Sequence, residues 1–151
     1  MPFDHLGLET IDETECRALL ASATIGRIAL SVRALPVVLP VNFALLEESI
    51  LIRTGGGSKF DAACHEAVVA FEVDGFDALS HTGWSVLVQG QARVVQSPAE
   101  LAEAHRARLT AWANPAADDY VKVSLDLITG RRLGEWYWGH GLPVAPSNPP
   151  R

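Results

Sequence analysis

Apolar positions cluster in short runs separated by turn-forming residues. Residues 26–32, 35–45, 49–53, 67–74, 84–95 and 120–125 are rich in Val, Ile, Leu, Ala and aromatic side chains, and Gly, Pro, Asn or acidic residues lie between them. Runs of this length and spacing predict strands. Helical spacing appears in three other stretches. Residues 12–22 open on Asp12 as an N-cap with Glu15 three places on, and Cys16, Leu19, Leu20 and Ala23 share one face. Residues 58–65 predict a short helix. Ser97-Pro98-Ala99-Glu100 supplies an N-cap, a proline at the first helical position and an acid at the third. That helix is expected to run to about residue 111, with Leu101, Ala104, His105 and Leu109 at core spacing. Strands that follow one another with few helices between them argue against a parallel βαβ sheet. The pattern predicts a mainly β protein, a small six-stranded antiparallel barrel carrying a few helices.

Several residues refine that picture. Pro36 and Pro40 lack the ladder N–H, so the strand over 35–45 must meet them at an edge, a bulge or a bend. Gly90 marks either a bulge or a close backbone approach. Residues 75–82 read as a loop and 129–134 as a basic turn, followed by the aromatic run Trp136-Tyr137-Trp138. Residues 1–142 are expected to form one domain, and 143–151, with four prolines in nine residues, a flexible tail.

The chain has 151 residues, 48% of them hydrophobic and four of them Trp, enough for one domain with a substantial core. Its net charge of −6 and pI of about 5.3 advertise no nucleic-acid surface. The opening Pro2-Phe3-Asp4-His5 lacks the basic start of a signal peptide. No apolar run approaches the roughly 20 residues of a membrane-spanning helix. The expectation is a soluble, cytoplasmic protein with no membrane partner. Cys16 and Cys64 make no CxxC, and the five histidines build no ligand-spaced set, so no metal is expected. Cys64 reads as a small buried hydrophobe, and the histidines as structural or solvated groups.

The stretch richest in chemistry is Arg53-Thr54-Gly55-Gly56-Gly57-Ser58-Lys59. It joins an apolar strand to the short helix. Glycines without Cβ let the backbone turn sharply and approach a ligand, and converging N–H groups favour an anion. Two cations and two hydroxyls flank them. Two readings stand at this point: a phosphate cradle, or a Gly-rich turn with solvated basic residues. It is not the nucleotide-hydrolase loop, because Ser58 precedes Lys59. Glu72 and Asp74 alternate with Phe71 and Val73, and form either a solvated face or a pairing with Arg27 or Arg93 across the sheet. Trp136-Tyr137-Trp138 is either a lid or, preferably, a patch that closes a dimer.

The order of these elements, together with Glu15–Leu20 and Gly26-Arg27-Ile28, Leu39-Pro40-Val41-Asn42-Phe43, Ile52–Lys59, Phe71-Glu72-Val73-Asp74, Gly83-Trp84-Ser85-Val86 and Ile128-Thr129-Gly130-Arg131-Arg132, resembles the pyridoxamine 5′-phosphate oxidase-like flavin-binding split barrels, notably their compact actinobacterial type. The resemblance covers about residues 10–134. It implies a split barrel that forms a homodimer with FMN at the subunit interface, a deazaflavin coenzyme or haem being the other ligands found among relatives. It implies a phosphate held by Arg53, Thr54, Ser58 and Lys59, which suits a fork-shaped guanidinium and an ammonium. Val38, Pro40, Val41 and Asn42 would lie along the isoalloxazine ring, and Trp84, Ser85 and Gln89 would reach the flavin of the neighbouring subunit. The implied activity is transfer of hydride or electrons to a small-molecule substrate, the alternative being a carrier or sensor without turnover. Arg131-Arg132 stand outside the context of a pyridoxamine-phosphate motif, and the sequence names no catalytic acid or base.

Overall fold

The computed structural model of the chain describes residues 3–5, 7–54, 58–110, 116 and 118–134, with Ser58 and Lys59 described by backbone only. The expectations for the tail and for Trp136-Tyr137-Trp138 fall outside these residues. The element order is β1 (Glu9–Ile11), α1 (Glu13–Ser22), β2 (Ile25–Val32), β3 (Leu35–Leu45), β4 (Ser49–Thr54), α2 (Ser58–Ala63), β5 (Val68–Asp77), β6 (Thr82–Val94), α3 (Pro98–Arg106), β7 (Asp119–Ser124) and β8 (Leu127–Leu133).

All pairings are antiparallel, in the order β1-β8-β6-β5-β2-β3-β4-β7, and β6 also pairs with β7. That last pairing closes a ring of six strands, β2 to β7, which are the six that the apolar runs predict. The strands β1 and β8 extend the sheet beyond β6. Residues 129–134, expected as a basic turn, lie mostly in β8, whose Gly130 and Arg131 pair with Val86 and Ser85. Arginines made that segment look like a turn, but their side chains are absorbed at the sheet. Arg131 meets Asp4 at 2.8 Å, and Arg132 reaches Glu9 and Glu15. The loop expected over 75–82 shrinks to the turn 78–81, since β5 and β6 pair out to Asp77↔Thr82.

The caps form as the sequence predicts. Asp12 accepts from the Glu15 N–H at 2.8 Å, and Ser97 accepts from the Glu100 N–H at 3.2 Å. Cys16 and Leu20 on α1 are fully buried, with Leu19 and Ala23 packed alongside. On α3, Ala104 is buried but His105 is exposed, and the helix ends at Arg106, short of the expected end. His105 instead bonds Asp118 at 2.6 Å and meets Tyr120 edge-on, tying α3 to the start of β7.

The barrel interior is filled by Ile28, Leu30, Phe43, Ile50, Ile52, Phe71, Val73, Val86, Val88, Val121 and Val123. A second, smaller core lies outside the ring, where α3 covers Leu51, Val95 and Tyr120. At Gly90, β6 passes from its pairing with β8 to its pairing with β7, and a Cβ there would overlap the Ser124 carbonyl. Gly90 is thus a close backbone approach. Both cysteines are fully buried free thiols. Burial, with Asp61 adding to it, pushes the Cys64 thiol up to about 11.

Candidate functional site

Strand alternation decides which predicted residues can act together, because neighbouring side chains point to opposite faces. On β3, Val41 packs towards the interior core, whereas Val38, Pro40 and Asn42 take the outer face. On β6, Trp84 packs against the interior core and lies over Gly75, whereas Ser85 and Gln89 take the outer face. The outer-face set therefore keeps Val38, Pro40, Asn42, Ser85 and Gln89 and loses Val41 and Trp84 as direct neighbours.

The edge of β3 is open as well. Phe43 donates its N–H to Thr24 at 3.2 Å, and β2 pairs with β3 from Leu35 to Asn42. Alternation then aims the peptide groups of Val37, Leu39 and Val41 at β2, and those of Pro36, Val38, Pro40 and Asn42 away from it. Among the described residues, no strand pairs with that second side before Phe43 meets Ile52. The prolines stand where a missing N–H costs the β2 ladder nothing. The carbonyls of Val38 and Pro40 line this edge.

Arg53 and Thr54 end β4 and part company. Arg53 shares the outer face with Asn42, since the β3–β4 register runs through Phe43↔Ile52. The two side chains meet a common segment: Arg53 donates to the Leu109 carbonyl and Asn42 to the Thr110 carbonyl, each at 2.8 Å. Residues 107–110, beyond the end of α3, are thereby strapped across the ends of β3 and β4. Thr54 is buried and turns inward to Asp61 of α2 and to the Asp119 carbonyl, both at 3.4 Å. Burial, and then the charge of Asp119, push the Asp61 carboxyl above its ordinary range, while the Thr54 bond pulls it partly back. The backbone of α2 begins at Ser58, so Ser58 and Lys59 are returned to this end of the barrel; their side chains lie outside the described residues.

Sequence reasoning did not find the Leu109 and Thr110 carbonyls. They carry no side-chain signature, and only the long-range contact reveals them. On the bare outer face, Arg27 pairs with both acids of β5, at 3.6 Å to Glu72 and 3.4 Å to Asp74. Arg93 does not join them; it forks onto Glu100, the shorter-range partner that α3 brings above it. A cleft of about 420 Å³ lies elsewhere, lined by Ser49, Gln91, Arg93, Glu103, Lys122 and Ser124 among others, and holds none of the predicted cofactor residues. Its buried Lys122 faces Glu103 at 3.5 Å and Glu100 at 3.9 Å, a balanced ion network. Among the described residues no cluster of three metal-ligating side chains forms, and no helix is long and apolar enough to cross a membrane.

An exposed strand edge with two carbonyls, an arginine oriented beside it and the start of α2 close to the same strand end make a site suited to a planar ligand bearing a phosphate. The profile of the pyridoxamine 5′-phosphate oxidase family matches residues 12–132. The uncharacterized protein Rv0080 of Mycobacterium tuberculosis is 35% identical over 128 residues, covering 82% of this chain and 84% of that one. The FAD binding protein of Mycobacterium smegmatis is 39% identical, with 82% of this chain and 97% of that chain covered and a TM-score of 0.70. A FAD-binding protein of Mesorhizobium loti shares the fold at 18% identity, with 84% and 99% covered and a TM-score of 0.68. With the family profile spanning most of the barrel, the chain belongs to the pyridoxamine 5′-phosphate oxidase-like, flavin-binding split-barrel family.

Proposed function

We propose that this protein binds FMN at the interface of a homodimer and serves as an oxidoreductase towards a small-molecule substrate. The observation that carries the reading is the meeting of Asn42 and Arg53 on one outer face, beside the strand end that leads through Thr54 to α2. In this reading Arg53, Ser58 and Lys59 hold the phosphate, and Thr54, expected from the sequence to join them, is turned inward and ties the strand end to α2 instead. The Leu109 carbonyl fixes one arm of the Arg53 guanidinium, so the cation is oriented before a ligand arrives and less ordering is needed on binding. The open edge of β3 offers the carbonyls of Val38 and Pro40 to the polar rim of the ring system, while the missing N–H of Pro40 keeps any competing strand from pairing there. Ser85 and Gln89 belong to the bare outer face and approach the cofactor of a second copy. The flavin supplies the hydride or electron chemistry, and the chain binds it, orients it and keeps water from one side.

The test is the absorbance spectrum of the purified protein, with mass spectrometry of any ligand it releases and titration of the stripped protein with FMN, FAD, a deazaflavin and haem. FMN is expected to bind most tightly. Replacing both Arg53 and Lys59 by Ala should weaken that binding by about 1.5–3 kcal/mol, about ten- to a hundredfold. Unchanged affinity in the double variant would remove the phosphate assignment. Tight binding without turnover of any acceptor by the reduced cofactor would make the protein a carrier rather than an enzyme.

A further inference from the structure

Among the described residues no helix covers the outer face of β8, β6, β5, β2 and β3, which carries mostly small or apolar side chains: Ala29 beside Ala70 and Val38, with Leu87 and Thr129 across from them. Val38 is 61% exposed and Leu127 53%. In the middle of this surface stand Arg27, Glu72 and Asp74. Arg27 is in register with Glu72 on β5 and with Pro40 on β3. On the other side, Glu72 and Asp74 are in register with Leu87 and Ser85 of β6, which do not titrate. The nearest further charge, Arg131 of β8, is in register with Ser85 and engaged with Asp4.

We infer that this face is covered by a second copy of the chain, and that the Arg27–Glu72–Asp74 trio makes the association take up protons. The inference rests on the homodimer proposed above. Two features of the face favour a copy of this chain as the occupant. The patch is self-complementary, one cation flanked by two acids, so a twofold axis through it sets each Arg27 against the partner's carboxylates. Growth of the sheet by edge addition is opposed at β3, where Pro36 and Pro40 remove the outward N–H groups, which leaves the face rather than the edge for docking.

The sign follows from the charges. With both carboxylates ionised the trio carries a net negative charge, and with one proton shared between them it is neutral. Burial, the Asp74 charge and a hydrogen bond with Asp74 already hold Glu72 above its ordinary value, and Arg27 only partly offsets them. Covering the face removes more water and sets two such trios together, so the associated state holds the proton more tightly than the separate chains. Association is strongest below the value for the separate chain and weakens as pH rises through the value for the dimer.

Sedimentation velocity with the full chain, from about pH 4, near the ordinary carboxyl value, to about pH 8, tests this. The dissociation constant is expected to rise at least about tenfold across that range. Glu72→Gln should abolish the pH dependence and keep the low-pH affinity, and a carboxyl-carbon NMR titration of the unaltered protein should show the Glu72 value rising with protein concentration. Ala70→Lys, on the same face, should leave a folded monomer at every pH. A dimer whose affinity is flat with pH, or a Glu72 titration indifferent to concentration, would overturn the proton linkage while leaving the homodimer standing. A dimer that survives Ala70→Lys would overturn the choice of face. A chain monomeric under all conditions would remove the homodimer itself.

Discussion

The two walls of this barrel are built from the same alternating strands yet end differently. Behind β4 and β7, α3 folds back so that Leu51, Val95, Ala104 and Tyr120 form a second core outside the ring. Behind β5, β2 and β3, nothing in the chain's described residues covers Ala29, Val38, Ala70 or Leu87, and this bare wall carries the open edge of β3 and the Arg27 trio. Alternation predicts an apolar inner face on both walls equally well. It does not predict which outer face the chain will cover for itself. The helix solves that problem for one wall, and for the other we propose a second copy of the chain.

The largest disturbance is expected where the walls are joined. Gly90 sits where β6 leaves β8 for β7, and any Cβ there would overlap backbone rather than a side chain that could move aside. Overpacking against fixed backbone lies at the costly end of its range. Gly90→Val should cost roughly 3 kcal/mol or more, a large share of a typical domain's stability. Urea denaturation, or loss of soluble protein on expression, reads the effect. A variant as stable as the parent would mean that the two walls are not held in this register.

The next prediction sets one wall against the other. Leu51 is fully buried beneath α3, so Leu51→Ala should destabilise by about 3 kcal/mol through lost transfer energy and the cavity left behind. Leu87, 36% exposed on the bare wall, should cost only about 0.5 kcal/mol when cut to Ala in the monomer. Equal losses at the two positions would show that the bare wall is already covered in the protein as purified. Repeating the pair at several protein concentrations separates the cases, because coverage by a second copy makes the Leu87 effect grow with concentration.

These expectations also measure what the sequence revealed. All six ring strands and all three helices were legible, because each strand's apolar residues face one shared interior and the starts of α1 and α3 carry their own caps. The arginines of β8 misled, since Arg131 and Arg132 suggested a solvated turn until Asp4, Glu9 and Glu15 were brought against them from distant positions. At the site, Arg53 and Thr54 could be picked from their place beside three glycines, but their divergence onto opposite faces could not be weighed without the register of β4. Pairing of Arg27 with Glu72 and Asp74 was one of two readable choices, and only the strand order β5-β2 selects it over Arg93. What stayed hidden is what the long-range contacts supply: backbone carbonyls at 109 and 110, and α3's choice of wall.

The smallest prediction contrasts two carboxyls that burial raises, one on each side of this divide. Glu72 lies on the bare wall and has Arg27 opposite it; Asp61 lies at the barrel mouth and has Thr54 and the like charge of Asp119. For Asp61 the folded chain holds the proton more tightly than the unfolded chain. Its stabilising contribution is therefore complete below the ordinary carboxyl value of about 4 and is lost as pH rises through the folded-state value. At neutral pH the ionised group is a small liability. Asp61→Asn removes that charge and keeps an oxygen that can accept from the Thr54 hydroxyl. The variant should melt slightly higher than the parent at pH 7, with the gain shrinking as the pH is lowered towards about 4. A gain that persists unchanged at low pH would trace the effect to packing, and a loss at pH 7 would mean that the Asp61 charge itself holds α2 on the barrel.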